Sequence, residues 1–187
     1  MQPNLALQPT LWRTCRVIAN RSRLRMFALL LKHPGQTVSA VADSLKLPLP
    51  VASQYLRALE ARGLIEVRRV GRRVSYRLPG PSSGSHARGI VEALSETFRL
   101  DLDAEATLFK AATAFTHPRR VEIHRALRDK PRTLLELHAA THIPFWALHR
   151  HLRKLEDRSF VVSRSGHYVA ANQPDPFGRE LARAASE

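Results

Sequence analysis

The sequence predicts a mainly α-helical chain with small β-hairpins, built as two tandem copies of one α-α-α-α-β-β-α unit packed on each other. Three observations predict it. The chain repeats itself: Leu11, Arg23 and Leu30 recur 97 residues on as Leu108, Arg120 and Leu127. After a one-residue deletion, Thr37–Pro48 aligns with Thr133–Pro144, and Leu56, Leu59 and Glu60 align with Leu152, Leu155 and Glu156. A repeat this long is a duplicated domain, not a solenoid period. Apolar residues recur at helical spacing through most of each copy, and a short alternating stretch around a glycine closes each one. Finally, 187 residues accommodate two small domains, here 8–99 and 101–187, each with a core modest enough to gain from packing on the other.

In the first copy, Thr10 is placed as an N-cap, with Leu11, Trp12, Cys15, Ile18 and Ala19 on one helical face. Asn20 opens a second helix with Leu24, Phe27, Ala28 and Leu31 as its apolar stripe, and His33-Pro34-Gly35 ends it. Thr37 caps a third helix ending near Leu45. Leu47-Pro48-Leu49-Pro50 is a tight turn into a fourth, since proline is tolerated in a first helical turn. Ala52, Tyr55, Leu56 and Leu59 form the buried stripe of that fourth helix, and Gly63 suits a left-handed C-terminal position. Leu64–Val70 and Arg72–Leu78 read as strands about Gly71, with Val67, Val74 and Tyr76 at alternating apolar positions. Pro79–Gly84 is a loop, and Ser85 is placed as the cap of a helix carrying Ile90, Val91, Leu94 and Phe98.

After a linker at Arg99–Asp103, Asp101 and Asp103 begin the second copy. A helix runs to Phe115, Thr116-His117 breaks it, and Pro118 starts the next. A Thr133-capped helix, the Ile143-Pro144 turn, a helix to about Arg158, a shorter hairpin around Gly166 and a final helix from Asp175-Pro176 follow.

The formal charge is +14, which points to a polyanionic partner, although a basic balance alone also suits plain solubility. The charge is unevenly shared. Residues 1–99 hold 16 Lys/Arg against 5 Asp/Glu, net +11, whereas residues 100–187 hold 14 against 11, net +3. Cys15 is the only cysteine, so no disulfide forms within the chain; a reducing cytoplasm, with the chain on the nucleoid, is the expected location. No signal peptide is visible, and no apolar stretch reaches the ~18 residues that span a bilayer, so no membrane partner is expected.

A short helix, a tight turn and an amphipathic helix make a helix-turn-helix, and a basic hairpin directly after it makes a winged helix. An α-helix fits the major groove, where base edges present a distinguishable donor and acceptor pattern. The free face of the fourth helix carries Pro50, Val51, Ser53, Gln54 and Arg57. Gln54 suits an adenine edge, and Arg57 a guanine edge or a phosphate. Arg68, Arg69, Arg72 and Arg73 around Gly71 suit phosphates or the minor groove. Double-stranded DNA is therefore the expected partner.

The run N-R-S-R-L-R-M-F-A-L-L, followed by V-A-S-Q-Y-L-R-A-L-E-A-R-G-L-I-E-V-R-R-V-G-R-R-V-S-Y-R-L, resembles the ArsR-type winged-helix transcriptional regulators of bacteria and archaea. The resemblance covers Leu11 to Phe98, and more distantly Thr116 to Ala171. It implies dimers built from first and last helices and DNA binding as a repressor. Here the second copy can stand in for a second subunit as an intrachain pseudo-dimer, a homodimer being the alternative. Metal-sensing members carry a cysteine pair where this chain has Thr37 and Ser39, or Thr133 and Leu135. His86, Glu92 and Glu96 match the family's other metal site with poor spacing, so no metal and no cofactor is expected.

In the second copy the reading face would show Trp146, His149, Arg150 and Arg153, with Leu148, Leu152 and Leu155 buried and Phe145 packed into its own core. Trp146 suits stacking on DNA or meeting a partner. The wing, Ser163-Arg164-Ser165-Gly166-His167, is weaker. Seven of nine histidines lie in this copy; His138 and His142 are one turn apart, but no matching carboxylate or thiol accompanies them. Cys15, on an apolar face, reads as a buried inert thiol. No nucleophile elbow, phosphate-cradling glycine loop or paired carboxylates point to an enzyme. Alternatives to a DNA-binding regulator are a protein-interaction or chromosome- or replication-associated adaptor, and a ligand- or metal-responsive sensor.

Overall fold

The computed structural model describes residues 10–80 and 87–187. Its first half runs α1 (Leu11–Ile18), α2 (Arg21–Lys32), α3 (Val38–Leu45), α4 (Leu49–Glu60), β1 (Glu66–Val70), β2 (Arg73–Arg77) and α5 (Arg88–Leu100). The second runs α6 (Ala104–Ala114), α7 (Pro118–Ala126), α8 (Leu134–Thr141), α9 (Phe145–Asp157), β3 (Val161–Arg164), β4 (His167–Ala170) and α10 (Pro176–Ser186). The element order of the first half is that of the second, and the hairpins are antiparallel two-stranded sheets.

Short polar side chains set the helix starts by accepting otherwise orphaned backbone N–H groups. Asn20 Oδ1 accepts from Arg23 N at 3.0 Å, Thr37 Oγ1 from Ala40 N at 3.3 Å, and Asp175 Oδ1 from Gly178 N at 2.7 Å. Thr133 and Glu136 cap each other's backbone N–H in a reciprocal box. Two cap positions differ. Thr10 occupies the cap position of α1 without a side-chain bond. Asp103 likewise makes none; Asp101 instead accepts from Asp103 N at 2.8 Å and Thr107 Oγ1 at 2.6 Å. Ser85 and His86, like residues 8 and 9, lie outside the described residues, and α5 is first seen at Arg88.

Each helix-turn-helix turn is made by the same backbone device. Lys46 and His142 both take left-handed φ of 53°, ending α3 and α8, and Pro48 and Pro144 then sit as N-caps of α4 and α9. The first hairpin pairs Val67 with Tyr76 and Val70 with Arg73. Tyr76 also bridges to Gln36 ahead of α3, as Tyr168 does to Arg132 ahead of α8, fixing each wing beside its helix pair.

Buried side chains form one continuous core through both halves, with Phe27, Leu56, Phe115, Phe160 and Phe177 fully enclosed. In α2 the deepest residues include Met26 and Leu30, while Ala28 and Leu31 are half-buried, so the buried face is rotated from the one the spacing suggests. Leu64 and Ile65 are core residues preceding the strand. Val74 is 37% exposed, contrary to the alternation expected of it, because the outer end of the hairpin stands clear of the core. Cys15 is fully buried and its thiol pKa is pushed far up by that burial, consistent with an unreactive side chain.

The halves meet through their first and last helices: α1 lies against α6, and α5 against α10. The flanking contacts come in exchanged pairs, α2 on α6 with α1 on α7, and α5 on α6 with α1 on α10. Glu105 bridges Arg21 at 3.0 Å and Arg25 at 2.7 Å, and those hydrogen bonds, that from Arg25 foremost, hold its carboxyl below the usual range. Phe177 N donates to Thr97 Oγ1 at 3.3 Å. Gly89 lies so close to α10 that a Cβ there would sit 2.3 Å from Glu180 Oε1.

Candidate nucleic-acid interface

Helix α4 is held by one side and free on the other. Ala52, Leu56 and Leu59 are buried, and the Arg23 guanidinium of α2 lies 5.4 Å from the Tyr55 ring, tying the helix to its neighbour. Pro50, Gln54 and Arg57 are exposed at i, i+4 and i+7, a single line along the free face. Val51 and Ser53 are half-buried at its margins. Arg57 Nε reaches back to the Ser53 carbonyl at 3.4 Å.

The wing carries the densest positive charge. Gly71, at φ +58°, permits the tight reversal between β1 and β2. Register and pleat put Arg69 and Val74 on the face that continues outward from Val67 and Tyr76; Arg68 and Arg73 project from the other. Arg68, Arg69, Arg72 and Arg73 are all exposed, and among the described residues none of them makes an ion pair. At the hairpin base, Glu66 pairs with Arg77 at 3.4 Å. Unpaired guanidiniums on a protruding ribbon are poised for phosphate oxygens.

The equivalent surface of the second half has the same line and a different chemistry. Trp146, Arg150 and Arg153 repeat the i, i+4, i+7 spacing, with His149 exposed beside them and Leu148, Leu152 and Leu155 buried behind. The Arg150 guanidinium lies 5.4 Å from the Trp146 ring centroid. Phe145 is not in the core. It is 44% exposed and meets His138, ring centroids 4.2 Å apart, because the space beneath α9 is already filled by Ala147, Leu148 and Leu152. His138 Nδ1 donates to the Ile143 carbonyl at 2.8 Å, and His142 is the left-handed turn residue, so each of the two has a local structural task. Among the described residues no group of three or more His, Cys, Asp or Glu is placed to hold a metal. The second wing bears Arg164 and His167 where the first bears four arginines.

One feature escaped sequence reasoning. His151, on α9, is buried against His117, the cap of α7, with ring centroids 4.6 Å apart. Burial first, then His117 and the guanidiniums of Arg120, Arg150 and Arg119, hold its pKa down to about 4. His151 aligns with Tyr55 and His117 with Asn20 in the repeat, so the alignment puts His151 on the inner stripe of α9 but does not show that it meets His117.

The family model for a helix-turn-helix domain matches residues 18–68, which take in α2, α3, α4 and the first residues of β1. No curated protein and no solved structure matches the chain. Residues 18–68 thus match a helix-turn-helix domain, and among the described residues no helix is long and apolar enough to cross a membrane.

Proposed function

We propose that the chain is a sequence-specific transcriptional regulator of the ArsR-like type, a repressor that binds double-stranded DNA through α4 and the arginine wing of its first half. It acts on the nucleoid in the cytoplasm, without catalysis, cofactor or metal. The observation that carries this reading is the Pro50–Gln54–Arg57 line lying on the free face of a matched helix-turn-helix, followed at once by four unpaired wing arginines. The helix can read base edges while the wing grips the backbone.

The chain is a tandem duplication folded as an intrachain pseudo-dimer. Its support is the exchange pattern of the contacts between halves, in which α1 with α6 and α5 with α10 pair like with like. Contacts of that kind are the mark of a two-fold interface. Because Pro50, Gln54 and Arg57 are answered by different residues in the second half, and only the first half carries the arginine wing, the bound sequence is asymmetric. Selection from a random duplex pool tests this. Enrichment of a non-palindromic site is expected; a perfect palindrome overturns the pseudo-dimer as the reading unit, and no enrichment at low salt overturns DNA reading altogether.

A further inference from the structure

We propose that the helix-turn-helix face of the second half docks an acidic, apolar segment of another protein, with Leu135, Phe145 and Trp146 as the apolar centre and His149, Arg150 and Arg153 as the basic rim. The proposal rests on the reading that the first half holds DNA.

The centre is drawn from neighbouring positions on α8 and α9. Leu135 and His138 are one turn apart on α8; His138 meets Phe145, Phe145 adjoins Trp146 on α9, and Arg150 lies over the Trp146 ring. Leu135 and Trp146 are each 68% exposed. In the first half the matching places hold Ser39, Leu49 and Pro50; Leu49 is itself exposed and apolar, and the second half has gained Leu135 and Trp146 in place of Ser39 and Pro50. An exposed tryptophan beside arginine has the composition of a binding hot spot.

Duplex DNA fits this centre poorly. Its bases are stacked, their ring faces are covered, and a groove offers apolar side chains little beyond thymine methyls. The phosphate grip is also reduced, because Arg164 is the only arginine on the second hairpin. A second copy of the chain fits no better, since joining the patch to itself would set Arg150 and Arg153 against their own equivalents. The nearby carboxylate, Glu136, is turned onto Thr133 N at 2.7 Å and Thr133 Oγ1 at 2.9 Å and keeps its charge, and Arg150 and Arg153 outweigh it. The complementary occupant is therefore a protein segment with large apolar side chains on one face and Asp or Glu flanking them, as an amphipathic helix presents.

The test uses the full chain carrying Trp12→Phe, which leaves Trp146 as the sole indole. A display library of random 16-residue peptides is selected on this protein and counter-selected on the same protein with Trp146→Ala. Enriched peptides are expected to combine Asp or Glu with Leu, Phe or Trp, to shift Trp146 emission saturably, and to bind at least tenfold more weakly to Trp146→Ala. The doubly reversed Arg150→Glu, Arg153→Glu variant is expected to prefer versions of those peptides with lysine in place of the acids. Failure to enrich any Trp146-dependent peptide overturns the proposal. So does a Trp146 response to duplex DNA or to a thymidine oligonucleotide in place of peptide, which would make this face a nucleic-acid surface. The two readings fail separately: loss of duplex binding in Gln54→Ala or in the wing variants concerns the first half, and peptide binding by Trp146 concerns the second.

Discussion

Replacing Arg72 and Arg73 together by alanine is the sharpest test of how the wing is used. Both side chains are exposed on the first hairpin and make no ion pair among the described residues, so the change removes positive charge without orphaning a carboxylate. Each phosphate neutralised on B-DNA contributes about 0.9 to the slope of log K against log salt. Leaving two phosphates without their arginines should make that slope shallower by about 1.8, so that the affinity drop between 50 and 200 mM salt shrinks by about tenfold. The effect should be the same on a selected site and on random duplex, because phosphates carry no sequence. Fluorescence anisotropy with labelled duplexes across a salt series measures it, and thermal melts check that folding is intact, since exposed substitutions of this kind cost within about 0.5 kcal/mol. An unchanged slope, or a weakening confined to one sequence, would refute wing–phosphate contact.

Gln54→Ala should relax base preference at one position, by about 1–3 kcal/mol of discrimination, with an unchanged salt slope; competition binding against single-base variants of the selected site reads this. His124 is buried between Phe115 and Phe160 with neither ring nitrogen bonded among the described residues, and burial holds its pKa down to about 4 from 6.5. Because the unfolded chain takes up a proton below about 6.5 and the folded chain only near 4, this group's stabilisation is complete above 6.5 and lost as pH falls to 4, by roughly 3 kcal/mol. His124→Leu should flatten that dependence in urea unfolding at pH 7.5 and 4.5, and equal pH slopes in both proteins would count against it. Phe177→Ala empties a fully buried site at the α5–α10 contact and should cost about 3–5 kcal/mol in a single transition; two separated transitions in calorimetry would show halves that fold independently.

Local chemistry made much of the fold legible. Asn20, Thr37, Thr133 and Asp175 announce helix starts because a short acceptor before an apolar period meets a specific need of the first helical turn. Pro48 and Pro144 announce the turns, and the buried stripe of α4 follows from 3.6-residue spacing. What spacing cannot give is depth. Phe145 lies on the same helix as Leu148, yet only a partner surface with room beneath it would bury it, and α8 offers the rim of His138 instead. Val74 alternates correctly and still emerges into solvent, because the hairpin is longer than the core that supports its base. Contacts between distant segments were equally hidden: nothing local to Glu105 indicates that Arg21 and Arg25 will find it. At the site, the line of Pro50, Gln54 and Arg57 followed from helical geometry, whereas the His117–His151 contact required knowing which helix ends meet.

Only Asp101, Leu102 and Asp103 separate the last helix of the first half from the first helix of the second. Two subunits that meet by diffusion come apart on dilution, and the occupancy of a site that needs both then falls with the square of their concentration. Here the partner surface travels on the same chain, at a local concentration that dilution does not change. If the chain binds DNA as the pseudo-dimer proposed above, occupancy should rise in simple proportion to copy number, without a threshold. A cell holding few molecules would keep a graded response where a dissociating dimer would fall silent.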